Sequence, residues 1–168
     1  MREERELDDS MEELTPRTLP HWDELPDFDL YMDQVLSLME RYLGPPIATG
    51  EKGITASMVN NYVKLGLVPA PHKKRYDREH LSCLVMVCAL KTVLPLAAIQ
   101  RILADGAQED PAVRYDRFCE QFEAAERDAL RGLAREGEPS SPQAIAVATA
   151  LGAQAQRNVA LRCCADLQ

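Results

Sequence analysis

The sequence between residues 54 and 103 constrains the fold more than any other part of the chain. It contains a short amphipathic pattern, a Gly-Leu-Val-Pro stop, a basic run and then a longer, strongly apolar pattern. Thr55 is a suitable N-cap for the first helix, because its hydroxyl can accept a hydrogen bond from a backbone N–H of the opening turn. Gly66 suits a left-handed helix stop, and Pro69 prevents continuation. The stretch therefore predicts a helix over 55–65, followed by a turn and a short basic ribbon.

A buried helix is predicted after the ribbon. Asp77 is its expected N-cap, and the apolar residues behind it form a wide face, which indicates burial. Pro95 then fits the first turn of a further short helix, because that turn does not need its backbone N–H. The apolar positions of these two helices are Leu81, Leu84, Val85, Cys88, Ala89, Leu90, Leu96, Ile99, Ile102 and Leu103.

Helical patterns also flank this stretch. An amphipathic helix is predicted over 29–43, and the Gly-Pro-Pro of residues 44–46 ends it. Two longer helices are predicted at about 111–135 and 143–165, joined by a turn over 137–142. Because two helices joined by a short loop most simply pack antiparallel, we expect a C-terminal helical hairpin.

The first 28 residues differ in composition from the rest. They are acidic and interrupted by three prolines, so we expect an extended or disordered segment in which only His21 and Trp22 pack on the folded part. The chain is accordingly divided into an acidic segment 1–28, a helical domain 29–106 and a C-terminal helical segment 107–168.

Composition limits the class of protein. Apolar residues make up 46% of the chain, and no apolar run is long enough to span a bilayer, so no membrane association is expected. The first residues are charged and do not read as a signal peptide. Five cysteines without regular spacing suit a reducing compartment. We therefore expect a cytoplasmic protein.

The basic residues are concentrated in one segment of an acidic chain. The net charge is −8, but residues 52–91 hold seven basic and two acidic residues, whereas residues 1–51 hold four basic and fourteen acidic ones. Phosphate binding depends on a local basic surface rather than on whole-chain charge. The segment that carries the first helix and the ribbon therefore has the charge that a small DNA-binding module needs.

Three short segments resemble parts of the MerR-type winged helix-turn-helix regulators. Residues 62–69, YVKLGLVP, resemble the family's Tyr-Glu-x-x-Gly-Leu-Leu-x-Pro segment. Residues 74–77, KRYD, resemble its wing, usually Arg-x-Tyr, and residues 94–99, LPLAAI, resemble its Phe-Ser-Leu-x-Glu-Ile turn. The fuller pattern, with LYMDQV at 30–35 upstream, more closely resembles a bacterial family catalogued as domain of unknown function 1836, itself grouped with MerR-like folds. The resemblance implies a mainly α fold: a MerR-like winged helix-turn-helix with a small β wing, here followed by the C-terminal helical hairpin.

In such an architecture the helix 55–65 enters the major groove and the basic wing 72–76 contacts backbone phosphates. Asparagine can pair with both the donor and the acceptor of adenine, so Asn60 or Asn61 is the expected base contact. The wing cations add affinity but little sequence information, and Tyr76 is expected to anchor the wing in the core. The predicted DNA-binding residues are Thr55, Ser57, Asn60, Asn61, Lys64, Lys73, Lys74 and Arg75. The alternative is that the asparagines are solvated helix residues and the basic run a solvated loop.

No enzyme is expected, and no catalytic, cofactor or metal site is predicted. The three histidines have no cysteine or carboxylate at ligand or triad spacing, and no phosphate-binding glycine loop is present. The vicinal pair Cys163-Cys164 can in principle bind a soft metal, as C-terminal cysteines do in some MerR sensors. Buried or incidental thiols are the preferred interpretation.

Two functions remain open. The first is a DNA-binding transcription regulator whose C-terminal segment serves dimerisation or sensing. The second is a protein-interaction module that retains the winged-helix fold without binding DNA. The basic wing favours the first. The acidic N-terminus, and Asn60 where MerR proteins usually have arginine, favour the second.

A homodimer is predicted from the C-terminal helices. The apolar stripe from Tyr115 to Leu133 is too extensive to be left in water if one partner helix covers only part of it. Two half-sites are also the usual way in which such modules gain affinity and specificity. The expected partners are therefore double-stranded DNA and a second copy of the chain, and the sequence identifies no small-molecule effector.

Overall fold

The computed structural model describes residues 15–44, 53–105, 108–135 and 141–167. These residues form a short 3-10 turn, Trp22–Glu24, and a series of α-helices. The helices are α1 (Met32–Leu43), α2 (Ala56–Lys64), α3 (Arg78–Leu90), α4 (Leu96–Asp105), α5 (Pro111–Arg135) and α6 (Pro142–Asp166). The chain is mainly helical, as predicted, and its described part contains no regular β-strand.

The predicted helix signals around α2 and α3 are confirmed. The Thr55 hydroxyl accepts a hydrogen bond from the Met58 N–H at 3.3 Å, and the Asp77 carboxylate accepts one from the His80 N–H at 3.2 Å. Gly66 ends α2 with a φ of +72°, a conformation that costs glycine little because it has no Cβ. These bounds follow from interactions within one turn of each helix end, which is why the sequence predicts them well.

The centre of the fold is α3. Every residue from His80 to Cys88 is buried, so the helix is apolar around almost its whole circumference. The helices α1 and α5 pack against it, α4 adds a further contact, and α2 packs on α1. A continuous hydrophobic cluster extends from Leu19 to Cys164.

The N-terminal segment belongs to this core, contrary to the expectation that only His21 and Trp22 would touch the folded part. Leu19 is 3% exposed and Leu25 2%. Trp22 packs edge-on against Tyr115, with ring centroids 6.4 Å apart. The described residues of the segment form no regular structure apart from the 3-10 turn, but the apolar side chains that alternate with its prolines reach the core. The expected boundaries near residues 28 and 106 therefore do not separate independent cores.

Two isolated antiparallel bridges stand where a two-stranded ribbon was predicted over 70–76. One joins Leu30 to Tyr76 and the other joins His72 to Arg75. The bridge at Leu30 also explains why α1 begins at Met32 rather than at residue 29, because extended backbone is needed for this pairing. The predicted small β wing is thus reduced to a tight turn closed by one bridge.

The described residues do not form the predicted C-terminal hairpin, since α5 and α6 do not pack along each other there. The buried residues of α5, Tyr115 and Cys119, lie near its start and face the core around α3, whereas α6 packs on α4. Arg101 of α4 donates a hydrogen bond to the Cys164 carbonyl at 3.3 Å. The short loop favoured antiparallel pairing, but the apolar surfaces of the two helices contact different partners. Of the connecting turn, residues 136–140 lie outside the described part of the chain.

The apolar stripe of α5 is covered within one protomer as far as Phe122, whereas its small residues Ala125 and Ala129 are exposed. Tyr115 and Cys119 are fully buried, and Phe118 and Phe122 pack against the core. The side chain of Leu133 lies outside the described part. Exposed larger apolar side chains recur along α6, where Val147 is 52%, Leu151 61% and Val159 60% exposed.

None of the helices in the described residues combines the length and the hydropathy that crossing a membrane requires.

Candidate nucleic-acid interface

One side of α2 carries only polar side chains that face solvent. Ser57, Asn60, Asn61 and Lys64 are exposed and follow the helical repeat, and we call them the polar face. On the opposite side Val59 is fully buried. Within the described residues none of the four polar side chains has a hydrogen-bond partner, so their donors and acceptors are open to a ligand. The structure thus brings together, on one helix, four of the eight predicted DNA-binding residues.

Thr55, a fifth predicted residue, has a structural role. It is exposed at the start of α2, and its hydroxyl oxygen already accepts the N-cap hydrogen bond from Met58. The hydroxyl hydrogen remains available as a donor. Thr55 therefore positions α2 and lies where the positive end of the helix dipole favours an anion.

Two lysines form the tip of a strained turn. The Arg75 N–H donates to the His72 carbonyl at 2.9 Å, and between them Lys73 and Lys74 have φ angles of +48° and +63°. Two consecutive left-handed residues define a type I′ turn, which normally prefers Asn-Gly because an L side chain is strained there. Both lysines are exposed. The turn, residues 72–75, is called the basic turn below.

Buried contacts on its C-terminal side hold the basic turn in place. Tyr76 is 3% exposed, and its backbone exchanges two hydrogen bonds with Leu30, at 2.8 and 2.9 Å. The imidazole of His80 is 6% exposed, lies 5.5 Å from the Tyr76 ring, and contacts the Ala70 carbonyl through Nε2 at 3.3 Å. The expected anchoring role of Tyr76 is therefore seen in the geometry.

The same histidine organises the start of α3. Its Nδ1 lies 2.6 Å from a carboxylate oxygen of Asp77. Partial burial acts to raise the pKa of the Asp77 carboxyl, but hydrogen bonds with the side chain and the backbone of His80 outweigh it and lower that pKa below its ordinary value. The ionised carboxylate thus caps α3 and orients His80, which in turn supports the basic turn.

Arg75 is held by an aromatic ring that the sequence did not point to. Its guanidinium carbon lies 4.0 Å from the ring centroid of Tyr31, a cation–π geometry. Stacking uses the face of the guanidinium and leaves its N–H edges for hydrogen bonds, so Arg75 is pre-oriented for a phosphate. Tyr31 precedes α1 by one residue and is 51% exposed. No sequence signal links positions 31 and 75, because the contact depends on the Leu30–Tyr76 bridge.

Not every cation between residues 52 and 91 is available to bind a phosphate. Arg78 packs over Trp22 at 5.7 Å, donates to the Pro26 carbonyl and lies 3.9 Å from Asp23. It therefore fastens the N-terminal segment to α3. Lys52 lies outside the described part of the chain.

Two of the buried cysteines, Cys88 and Cys119, are in unreactive surroundings. Burial raises the pKa of the Cys88 and Cys119 thiols to about 11, so both stay protonated near neutral pH. Cys163 is exposed whereas its neighbour Cys164 is buried. In the described residues no group of three or more histidine, cysteine, aspartate or glutamate side chains is arranged to hold a metal ion.

Comparisons with known proteins place the chain in one family. A search of curated proteins and a search of solved structures found no match. A family model described as "Domain of unknown function (DUF1836)" matches residues 20–122. The match includes the 3-10 turn, α1 to α4 and the buried first half of α5, so it covers the polar face and the basic turn. The chain therefore belongs to the DUF1836 family.

Proposed function

We propose that this protein is a DNA-binding transcription regulator built on a MerR-like winged helix-turn-helix, in which α2 is the recognition helix and residues 72–76 form the wing. The observation that carries the proposal is the pairing of two features in one module. The polar face presents four side chains without partners in the described residues, and the basic turn holds two exposed lysines in a strained conformation. Such strain persists where the surrounding structure enforces it, and it is concentrated at functional sites.

Each part has a separate role in the proposed complex. Asn60 and Asn61 read base edges in the major groove, since a carboxamide pairs with adenine in two hydrogen bonds. Lys73, Lys74 and the stacked Arg75 bind phosphates and set the register of α2. Thr55 adds a hydroxyl donor at the positive end of the α2 dipole.

The regulator acts as a homodimer in this proposal, with α6 as the contact. Between residues 142 and 156 α6 has no charged side chain, and its residues 146–159 are all exposed. A helix that is apolar all round is ordinarily buried, and only four of the fifteen residues from 142 to 156 are polar. Each copy carries a net charge of −8, so an uncharged surface is where two copies meet with least repulsion. Two copies then present two recognition helices to paired half-sites.

The test is a titration of a labelled mixed-sequence duplex by fluorescence anisotropy at several salt concentrations. Lys64, Lys73, Lys74 and Arg75 are four cations per protomer, and each phosphate contact contributes about −0.9 to the slope of log affinity against log salt. We expect a slope of about −3.6 per protomer if all four contact phosphates. The absence of binding at low salt, or an affinity independent of salt, contradicts the proposal.

A second candidate function is a protein-interaction module with the same fold. It is favoured by two exposed aromatic side chains next to the basic turn, Phe28 at 61% and Tyr31 at 51% exposure, because aromatic residues and arginine are enriched in protein interfaces. Substitution of Tyr31 by alanine separates the two. If the protein is an interaction module, this substitution weakens the binding of the partner protein. If it is a DNA-binding regulator, the substitution mainly loosens Arg75 and reduces the affinity for DNA.

A further inference from the structure

Four cations of the candidate interface pair with no carboxylate in the part of the chain that the structure describes. Lys64 lies on the polar face, and Lys73, Lys74 and Arg75 lie on the basic turn. The guanidinium of Arg75 stacks on the ring of Tyr31, which orients it but does not neutralise its charge. The polar face and the basic turn together are called the basic surface below. Its four unneutralised charges attract an anionic partner.

A complementary negative charge is present in the same chain. Residues 1–14 lie outside the described part, and they hold seven acidic and two basic residues, a net charge of −5. All other residues together carry −3, so most of the excess negative charge of the chain is concentrated in this segment. Its acidic residues stand one to three positions apart, so several carboxylates can meet neighbouring cations at once.

The first described residues enter the fold within reach of the basic surface. The Arg17 guanidinium donates to the Leu43 carbonyl at the end of α1, and the Arg17 N–H donates to the Glu126 carboxylate at 3.4 Å. At the opposite end of α1, Tyr31 stacks on Arg75. The twelve residues of α1 span about 18 Å, whereas fourteen residues extend to at most about 46–50 Å. Residues 1–14 are therefore long enough to reach the basic turn and to lie across it.

We propose that residues 1–14 dock on the basic surface of their own chain and compete there with DNA phosphates. The occupant is this segment rather than a separate anion, because a tethered segment is present at an effective concentration that is roughly millimolar. Exposed ion pairs are individually weak and are screened by salt, so the docking is reversible and DNA can displace the segment. The competition with DNA rests on the proposed function, whereas the docking itself does not.

Zero-length cross-linking of the full chain, without DNA, tests the docking. A carbodiimide joins a carboxylate to a lysine amine when the two are in ion-pair contact, and mass spectrometry identifies the joined peptides. We expect links from residues 1–14 to Lys64, Lys73 or Lys74 to exceed links to Lys91, which lies at the far end of α3, about 20 Å along that helix. Their yield should fall severalfold on raising the salt, because the Debye length falls from about 30 Å at about 0.01 M to about 3 Å at about 1 M.

Two variants change the charge without adding or removing a reactive group. Arg75→Gln takes one cation from the basic surface and should lower the yield of links to Lys73 and Lys74, whereas Arg127→Gln on α5 should leave it unchanged. Arg2→Gln/Arg5→Gln makes residues 1–14 more negative and should raise the yield. This second variant lies outside the described core, so it decides the question if Arg75→Gln does not fold.

Mixing ¹⁵N-labelled and unlabelled chains identifies the occupant. Docking within one chain joins peptides of the same isotope, whereas docking on a second copy also joins labelled to unlabelled peptides. The proposal is overturned if links to the basic surface are absent or no more frequent than links to Lys91, if a folded Arg75→Gln variant keeps the wild-type yield, if Arg2→Gln/Arg5→Gln does not raise it, or if the links join different chains.

A DNA titration tests the competition separately. At low salt, Arg2→Gln/Arg5→Gln should bind the duplex more weakly than Arg127→Gln/Arg131→Gln, which changes the net charge of the chain equally, and the difference should vanish at high salt. Links without any DNA binding would leave the docking standing and refute the proposed function. DNA binding without links would leave the proposed function standing and refute the docking.

Discussion

Replacing the two lysines of the basic turn by the residues that the turn geometry prefers should stabilise the protein and weaken DNA binding. Lys73 and Lys74 both have positive φ angles, at +48° and +63°. A left-handed L residue costs roughly 1–2 kcal/mol. The variant Lys73→Asn/Lys74→Gly relieves most of this strain, although glycine returns about 0.5–1 kcal/mol through its flexibility in the unfolded chain.

We expect a net gain of about 1–2 kcal/mol in the free energy of unfolding. For a chain of this length that corresponds to a rise of about 2–4 °C in Tm for each kcal/mol. The same variant removes two cations per protomer, so the salt slope of DNA affinity should become shallower by about 1.8 per protomer. Stability and binding thus change in opposite directions, which no purely structural role of the lysines predicts.

The assays are guanidinium unfolding followed by circular dichroism and anisotropy titration between about 50 and 200 mM salt. The control is Arg127→Gln/Arg131→Gln on α5, which removes the same charge. In the wild type, Arg127 pairs with Glu123 at 3.5 Å and Arg131 pairs with Asp128 at 3.3 Å. Ion pairs at the surface contribute little to stability, so their loss should leave the free energy of unfolding almost unchanged. Lower stability of the turn variant would refute the strain argument. A salt slope no different from that of the control would refute the phosphate contacts.

Three further predictions address the base contact, the helix cap and the dimer. Asn61→Ala should change the preference among DNA sequences by about 1–3 kcal/mol without altering the salt slope, as measured by competition between duplexes. Asp77 has a lowered pKa, so it stabilises the fold above the unfolded-state pKa of about 3.9, and this contribution is lost as pH falls through the folded-state pKa. Urea midpoints below about pH 4 should therefore depend less on pH in Asp77→Asn, which keeps a good N-cap, than in the wild type. Leu151→Glu on α6 should yield a monomer by sedimentation, whereas Val113→Glu on α5, at a position 56% exposed against 61% for Leu151, should not. A monomeric wild type at high concentration would contradict the dimer.

The family assignment came from a combination of short motifs. Residues 62–69, 74–77 and 94–99 are each weak signals, but the fuller pattern, with LYMDQV at 30–35 upstream, resembled the DUF1836 family, whose model matches residues 20–122. The basic turn was also visible as a charge run at a particular place in this pattern. The conformation of the basic turn could not be predicted, because a Lys-Lys pair has no turn preference that indicates two positive φ angles.

The sequence by itself determined where the central helices begin and end. The Thr55 and Asp77 caps and the Gly66 stop act within one helical turn, so each can be recognised from neighbouring residues alone. The helical repeat likewise determined which side of α2 is polar. Local chemistry is sufficient for these features because the interacting groups are close in the chain.

Only the tertiary structure decided how the elements meet. The stacking of Arg75 on Tyr31, the burial of Leu25 and the packing of α6 on α4 each join residues that are far apart in sequence. Several partners were compatible with each apolar or aromatic side chain, and the hydrophobic effect that drives their burial has no directional preference. The choice among them was made by the packing around α3, whose apolar circumference requires cover from α1, α4 and α5 together.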